Sequence, residues 1–354
     1  MKVWMDLLTP KQILFFRPVA EELRSKGHEV LITSRHYREV EQLATLLGVE
    51  VNYFGARGGK DPYDQLRASL ERMSALLPAI GKFQPNVSVS VASADAARIS
   101  FGIRCNHVAV SDSPHSVIAG KLSLPFSHHL LTPWIIPYIA WYRFGLQRRE
   151  ITKYRALDPA AWLKREPAKA PLEVKLDSGK PTILVRLEES YAPYMIGTDA
   201  TYAERVLQKL AADFKGCNLV ALCRYQDQLE WVQERFGDVF IIPEKVVDGA
   251  GLLRRTDVFI GMGGTMTTEA ALIGVPTISA YQGHGLYTER YLRSTGLLLR
   301  THNIERLSPL VKKCLTANYK KHCARKAKKV LDSMEDPVEK IVGYLVKKEN
   351  FVVR

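Results

Sequence analysis

Residues 3–8 read VWMDLL, residues 13–26 read ILFFRPVAEELRSK and residues 29–33 read EVLIT. The outer two are apolar runs of strand length, and between them Leu14, Val19 and Leu23 recur at helical spacing until Gly27 ends the helix. Strand, helix and strand within about 30 residues form a βαβ unit with parallel strands and a right-handed crossover. The alternation then repeats. Tyr37 to Leu47 reads as helix, Glu50 to Phe54 as strand, Tyr63 to Phe83 as helix, Val87 to Val91 as strand, Ala94 to Phe101 as helix and His107 to Val110 as strand. A doubly wound α/β domain is the expectation for the first half.

From Asp158 to Lys180 the pattern lapses into a stretch carrying Pro159, Pro167 and Pro171, with Pro181 just beyond. The domain boundary belongs there, dividing residues 1–165 from residues 166–335. A second alternating series follows. Strands are read at Thr182 to Leu187, Asn218 to Cys223, Phe240 to Ile242, Val258 to Gly261 and Pro276 to Ala280, and helices at Tyr202 to Phe214, Gln226 to Phe236, Ala250 to Arg255 and Thr267 to Ile273. Length agrees with two domains, since 354 residues with 46% hydrophobic content exceed what one core usually organises.

Lys and Arg total 50 against 37 Asp and Glu, a net charge of +13 that suits an anionic partner such as a nucleotide, a nucleic acid or an acidic lipid surface. Nucleic acid is the weakest of the three, because no recognised module and no aromatics interleaved with basic residues stand out. Cys105, Cys217, Cys223, Cys314 and Cys323 form no CxxC pair and are odd in number. That argues against a disulfide framework and a zinc site, and fits a reducing cytoplasm. No cofactor and no metal are expected, there being no Asp-x-Asp motif at a strand end. The opening MKVWMDLL lacks the apolar region and small-residue cleavage site of a secretory signal. The longest apolar run, Leu130 to Trp141, is about a dozen residues where a bilayer span needs about 20. It either lies on a membrane or packs inside the first domain.

In the second domain the run Asp257 to Gly261 stops at Gly261-Met262-Gly263-Gly264 and passes into the helix-forming Thr265-Met266-Thr267-Thr268-Glu269. Ligands of open parallel sheets bind beyond the carboxyl ends of strands. Glycines let the backbone approach a phosphate, while the amino end of the next helix offers unpaired N–H groups and about half a positive charge. Thr265 and Thr267 can cap that helix or donate to a ligand. Glu269, with no ion-pair partner nearby in sequence, suits the two hydroxyls of a ribose. The same residues also describe a ligand-free tight turn closed by a capping box of threonine and glutamate. Arg186 and Arg224, each near the end of a strand, are candidates for bidentate phosphate binding, or else ordinary surface salt-bridge residues.

GMGGTMTTEAALIGVPTISAY, residues 261–281, resembles the signature of domain-of-unknown-function family 354, a mainly archaeal group. More distantly it is similar to the nucleotide-binding region of UDP-N-acetylglucosamine 2-epimerases and of the N-acetylglucosaminyltransferase that forms lipid II. The opening residues 1–35, ITKYRALDPAAWL, ILVRLEES with Tyr191 after it, and LLRRTDVFIG share the family resemblance, which covers nearly the whole chain. It implies an α/β fold of the GT-B type, two Rossmann-like doubly wound domains whose parallel sheets face a cleft. A nucleotide-diphosphate sugar, UDP-linked, would be held mainly by the second domain. The implied activity is glycosyl transfer without a metal to an acceptor still to be named. A UDP-sugar 2-epimerase, hydrolysing or not, and a nucleotide-sugar-binding protein without catalysis are the alternatives.

In that likeness Glu269 would hold the ribose. Gly263, Gly264 and Thr265 would line the diphosphate, with Gly261, Met266 and Thr267 in the same turn. Val246 and Val247 in PEKVVDG would contact the base through main-chain groups, and Tyr281 and Gln282 would stand on the sugar side. Residues 336–354 would carry a helix, Pro337 to Lys348, that crosses back to the first domain. The chain departs from its relatives at Leu187, where proline is common, and in Leu8-Thr9-Pro10-Lys11-Gln12, where the related transferases have a glycine-rich loop. By position Asp6, Lys11 and Gln12 are expected to touch sugar or acceptor.

For proton transfer the candidates are Asp112 and His115 in VSDSPHS, after a first-domain strand, and His128 and His129, before another. A turn or helix cap is the plainer role for each. Lys312 to Lys329 holds eight Lys or Arg and no acid on an expected helix with Val311, Leu315, Ala324, Ala327 and Leu331 along one side. Such a run is either a solvated face or, with Trp134, Ile135, Ile136 and Trp141, a peripheral contact with an anionic membrane or lipid-linked acceptor.

Overall fold

The computed structural model describes residues 1–59, 61–165, 174–188, 199, 201–283 and 285–347; Pro167, Pro171, Tyr191 and Lys348, named above, lie outside these. The chain divides into two compact units, Met1–Arg165 with Glu335–Arg354, and Glu166–Met334.

In unit 1 the strands are β1 (Lys2–Asp6), β2 (Glu29–His36), β3 (Asn52–Ala56), β4 (Val87–Ser90), β5 (Asn106–Val110), β6 (His129–Pro133) and β7 (Ile151–Tyr154). They pair in the order β3-β2-β1-β4-β5-β6-β7, every described pair parallel. The helices between them are α1 (Pro10–Ser25), α2 (Arg38–Leu46), α3 (Pro62–Phe83), α4 (Ala94–Gly102), α5 (Val117–Ser123), α6 (Ile139–Tyr142) and α7 (Ala160–Leu163). Strand order reverses between β1 and β4, and in open parallel sheets that reversal opens a crevice at the strands' carboxyl ends. Trp4, Phe15 and Phe16 are fully buried between sheet and helices, each contributing about 1.5–3 kcal/mol of apolar transfer.

Two local readings change. Helix α1 starts at Pro10, because a proline's fixed φ and missing N–H suit the first helical position. Lys11 and Gln12 therefore stand in the first turn of a helix and not in a loop. The apolar run Leu130 to Trp141 becomes β6, a turn and α6, with Leu130, Leu131, Ile136 and Trp141 all buried. Those four side chains pack inside unit 1, whereas Ile139 of the same run is 72% exposed. No helix among the described residues is long and apolar enough to cross one.

Unit 2 holds β8 (Thr182–Arg186), β9 (Asn218–Leu222), β10 (Val258–Gly261), β11 (Thr277–Ser279) and β12 (Leu298–Arg300), paired as β12-β11-β10-β8-β9, again parallel. Its helices are α8 (Tyr202–Asp213), α9 (Gln226–Phe236), α10 (Gly249–Leu253), α11 (Thr265–Ile273), α12 (Tyr287–Ser294), α13 (Leu307–Leu315) and α14 (Ala317–Asp332). Here the order reverses between β8 and β10. The strand expected at Phe240 to Ile242 shrinks to a single bridge between Ile241 and Val220, since Pro243 has no N–H to continue a ladder. The basic run is two helices, broken at Thr316, whose hydroxyl accepts from the Tyr319 N–H at 3.4 Å to start α14. Finally α15 (Pro337–Val346) packs on α1 and α7 of unit 1.

Candidate functional site at the carboxyl edges of the two sheets

In unit 2 the reversal point is built from Arg186, the last residue of β8, and Gly261, the last of β10, which are register neighbours. The Met262 N–H donates to the Arg186 carbonyl at 3.0 Å and carries the chain over the sheet edge. Gly263 and Gly264 then take φ of 103° and 87°, a region that favours glycine. A side chain is also sterically unwelcome at three positions. A Cβ on Gly261 would collide with Thr267, one on Gly263 would lie 2.9 Å from the Tyr281 ring, and one on Gly264 would run into the Arg224 guanidinium.

The turn delivers the chain into α11, whose N-cap is Gly264. Glycine offers no side chain to satisfy the first amides of a helix, which have no partners within it. The capping box that the sequence also allowed is therefore not formed. Thr267 Oγ1 is buried and has no hydrogen-bond partner, and Glu269 is buried at 5% exposure in the second turn. Around this amino end, Arg224 Nε donates to the Leu187 carbonyl at 3.1 Å and Nη2 to the Gly263 carbonyl at 3.4 Å. Arg186 Nη1 donates to the Cys223 carbonyl at 2.8 Å. Both guanidinium groups are thus tied to strand ends at the same edge.

Sequence reasoning missed the neighbouring cluster. Ser279 Oγ, at the end of β11, donates to Glu289 Oε1 of α12 at 2.6 Å, and Arg300 at the end of β12 lies 3.6 Å from Glu289 Oε2. Burial pushes the Glu289 carboxyl up, against the pull of Ser279 and Arg300. Glu289 Oε2, Arg300 Nε and, beyond β8, Glu188 Oε2 are buried without hydrogen-bond partners. Tyr281 is buried beside Gly263. The side-chain amide of Gln282 is bonded to the backbone of Asp199 at 2.9 and 3.0 Å. Val246 and Val247 sit half-buried in the loop before α10, Val247 against the core.

In unit 1 the first turn of α1 brings Lys11 Nζ to Asp112 Oδ2 at 2.7 Å and to Asp158 Oδ2 at 2.8 Å. Asp112 follows β5 and also accepts from the Ser113 hydroxyl at 2.7 Å; Asp158 follows β7 and accepts from Tyr154 at 2.6 Å. Burial and then the Asp112 charge push Asp158 up to about 6, against Lys11 and Tyr154. Asp112 goes the other way: burial would raise it, but Lys11 and Ser113 hold it down at about 2. Two carboxyl groups whose proton affinities are driven apart are the pattern of an acid and base pair. His115 lies close by, its pKa lowered by burial against the attraction of Asp112. Asp158 escaped notice because it opens the stretch that reads as a domain boundary, and Tyr154 because it stands in ITKYRALDPAAWL, which carries only the family resemblance.

Other residues fall away from this cluster. Asp6 is fully buried at the β1–β4 reversal, paired with Arg72 at 2.6 Å and accepting from Ser93 at 2.6 Å and Thr33 at 2.7 Å. Burial would raise its pKa, but these partners hold it below the usual carboxylate range. Asp6 is an interior charge enclosed by these partners. Gln12 accepts from the Leu8 N–H at 2.6 Å and so ties down the loop before α1. His128 bonds the His107 carbonyl through its backbone N–H at 2.7 Å, which places it before β6 at the amino edge of the sheet. At about 3.3 Å per residue that is some 15 Å from Asp112, the wrong end for the proposed chemistry. His129 bonds Thr152 at 2.8 Å, stacks on Tyr344 of α15 at 4.4 Å, and is pushed down to about 4 by burial, as a packed neutral residue. Among the described residues no three His, Cys, Asp or Glu side chains converge as metal ligands would.

Two parallel α/β units of this construction define a protein of the GT-B fold. The chain belongs to the family described as "Protein of unknown function (DUF354)", whose model matches residues 1–348. It is 26% identical over 356 residues to an uncharacterized protein of Methanocaldococcus jannaschii, covering 97% of this chain and 98% of the other. Among solved structures it is similar to the MnaA–UDP co-structure from S. aureus, at TM-score 0.78 and 13% identity over 100% of this chain and 98% of that one. It also resembles UDP-GlcNAc 2-epimerase from Neisseria meningitidis bound to UDP-GlcNAc, at TM-score 0.73 and 13% identity over 98% and 100%. The spinosyn forosaminyltransferase SpnP follows at TM-score 0.61 and 17% identity over 97% and 99%. At such identities the likeness is one of fold.

Proposed function

We propose that the protein is an enzyme acting on a nucleoside-diphosphate sugar, held at the carboxyl edge of unit 2, and that it transfers the sugar to an acceptor. The observation that carries this reading is the amino end of α11, which stands uncapped behind two positive-φ glycines at the reversal of the sheet. A diphosphate there meets unpaired helix amides, with Arg186 and Arg224 tied nearby. Those groups supply the positive charge that a departing diphosphate needs, so the reaction is proposed to run without a divalent ion. Glu269 is assigned to the ribose hydroxyls. UDP is the first base to test, because two of the similar structures carry UDP or a UDP sugar. In unit 1 the Lys11–Asp112–Asp158 cluster, with His115 beside it, is the proposed proton-handling centre.

A second reading, 2-epimerisation of a UDP sugar, is favoured by the higher TM-scores to the MnaA–UDP and UDP-GlcNAc 2-epimerase structures, 0.78 and 0.73 against 0.61 for the forosaminyltransferase. Calorimetric titration with UDP, GDP, ADP, CDP and dTDP tests the common part. One diphosphate should bind, and Glu269→Ala should weaken it about tenfold, the loss of a charge-assisted hydrogen bond. A folded Glu269→Ala variant that binds unchanged overturns the ribose assignment, and binding of none overturns the reading. Product analysis then separates the two activities, since epimerisation needs only the donor whereas transfer needs an acceptor.

A further inference from the structure

Helix α5 of unit 1 is patterned inside out. Its buried residues are Gly120 and Ser123, while Val117, Ile118 and Leu122 are 39%, 58% and 52% exposed. A surface helix ordinarily turns its apolar stripe to the core and its polar residues to water. Helix α6, four residues long, buries Trp141 but leaves Ile139 at 72% and Tyr142 at 43% exposure. The two helices adjoin, because a Cβ on Gly120 would press into the Phe144 ring just past α6, and Arg143 donates to the Pro114 carbonyl just before α5. Helix α4 packs on α5 and extends the same face with exposed Phe101, whose ring meets Phe126 at 5.3 Å.

The charge of this face is predominantly of one sign. Between Ala94 and Glu150 the acids are Asp95, Asp112 and Glu150; the first two are taken by ion pairs with Arg72 and Lys11, and Glu150 accepts from the Gln147 N–H at 2.8 Å. Arg98, Arg104, Lys121, Arg143, Arg148 and Arg149 are all exposed. A contiguous apolar patch marks an interaction site, and large apolar side chains rimmed by Lys and Arg match the boundary between acyl chains and anionic headgroups. The other exposed apolar stripe of unit 1, Leu66, Leu70 and Leu77 on α3, lies among Asp64, Arg67 and Glu71 and lacks that complementarity.

We infer that the α4–α5–α6 face of unit 1 docks on an anionic lipid bilayer, with Ile118, Leu122 and Ile139 entering the headgroup boundary and Lys121, Arg143, Arg148 and Arg149 contacting phosphate. Of the two membrane elements suggested by the sequence, this surface keeps only Ile139 from the run Leu130 to Trp141 and leaves out the basic helix α14. The loop Ser111 to Ser116 carries Asp112 and His115 and leads directly into α5. Docking therefore brings the unit 1 cluster to the membrane surface. The inference does not depend on the nucleotide-sugar reading, because lipid binding is measured without a nucleotide.

The test is cosedimentation of the full chain with vesicles of equal parts phosphatidylglycerol and phosphatidylcholine, and with phosphatidylcholine alone. The protein is expected to pellet with the first and not the second, and to be released by salt. Ile118→Ser with Leu122→Ser and Ile139→Ser should lower the partition coefficient at least about tenfold, since three exposed apolar side chains lose their burial. Lys320→Gln, Lys321→Gln, Lys328→Gln and Lys329→Gln on α14 should leave it unchanged. Hydrogen exchange of the unmodified protein gives a second readout, with slowing expected at residues 117–122 and 139–143 when anionic vesicles are added. No binding to anionic vesicles, no loss in the apolar triple variant, or protection confined to α14 overturns the inference. Concentration-dependent self-association that the triple variant abolishes, with no vesicle binding, assigns the face to a second copy of the chain instead.

Discussion

At the carboxyl edge of unit 1, Lys11 closes on Asp112 and Asp158 at 2.7 and 2.8 Å, and Tyr154 donates to Asp158 from behind. At the carboxyl edge of unit 2, Glu188 Oε2, Thr267 Oγ1, Glu289 Oε2 and Arg300 Nε are buried without hydrogen-bond partners, and α11 begins on a glycine. The difference is one of degree, since Arg35 Nε and Thr132 Oγ1 of unit 1 are also buried without hydrogen-bond partners. The charged cluster of unit 1 is closed by its own side chains, whereas more polar atoms stay open at the edge of unit 2. Buried polar groups normally find partners, because leaving one unmet costs about 1–3 kcal/mol. The Lys11–Asp112–Asp158 cluster of unit 1 therefore reads as a closed electrostatic assembly whose value lies in where it holds protons. Unit 2 reads as an assembly completed by a polar ligand.

The largest effect should come from breaking the finished side. Lys11→Met leaves two carboxylates facing each other and should lower unfolding stability by about 3 kcal/mol at neutral pH, measured by urea denaturation. Part of that loss should return as pH falls towards 6, because Asp158, at about 6 even with Lys11 holding it down, takes up a proton more readily once the ammonium is gone. A variant as stable as the parent at neutral pH would mean that the three groups are not coupled.

On the open side, Gly264→Val places a branched side chain at φ 87° and against Arg224. Nucleoside-diphosphate affinity should fall about 100-fold, roughly 2.7 kcal/mol, in a protein that still melts cooperatively. Unchanged affinity would separate the glycine turn from the ligand.

The smallest effect sharpens the proton argument. Asp158 is raised from its ordinary 3.8 to about 6, so the folded state binds the extra proton between those values and stability falls as pH rises through that window. Asp112 has the opposite sign, and its contribution, present above 3.8, is lost as pH falls towards about 2. Asp158→Asn should remove the decline between about pH 4 and 6 and leave the loss at lower pH in place. A decline that survives the substitution would assign the proton to another group.

The two edges were unequally legible. The passage from β10 through Gly263 and Gly264 into α11 could be seen in the sequence because glycine and helix signals act over a few residues. Which residue caps the helix could not be, since Thr265 and Gly264 are one position apart. His128 misled although its place before a strand was legible, because in a parallel sheet a residue before its strand lies at the edge opposite to one after a strand. The inverted helix α5 also escaped, because a seven-residue segment with Val117, Ile118 and Leu122 looks the same in sequence whether its apolar side faces the core or solvent.

By itself the sequence determined the α/β alternation of both units and the glycine turn of the second, because strand and helix periods are local properties that repeat every two or 3.6 residues. Only the tertiary structure decided which charges meet. Lys11 reaches Asp112 across 101 positions because α1, β5 and β7 end at one sheet edge, and Asp6 is enclosed because Arg72 arrives from α3. Ion pairs of that kind depend on which strand lies beside which, and nothing within a few residues of either partner records it.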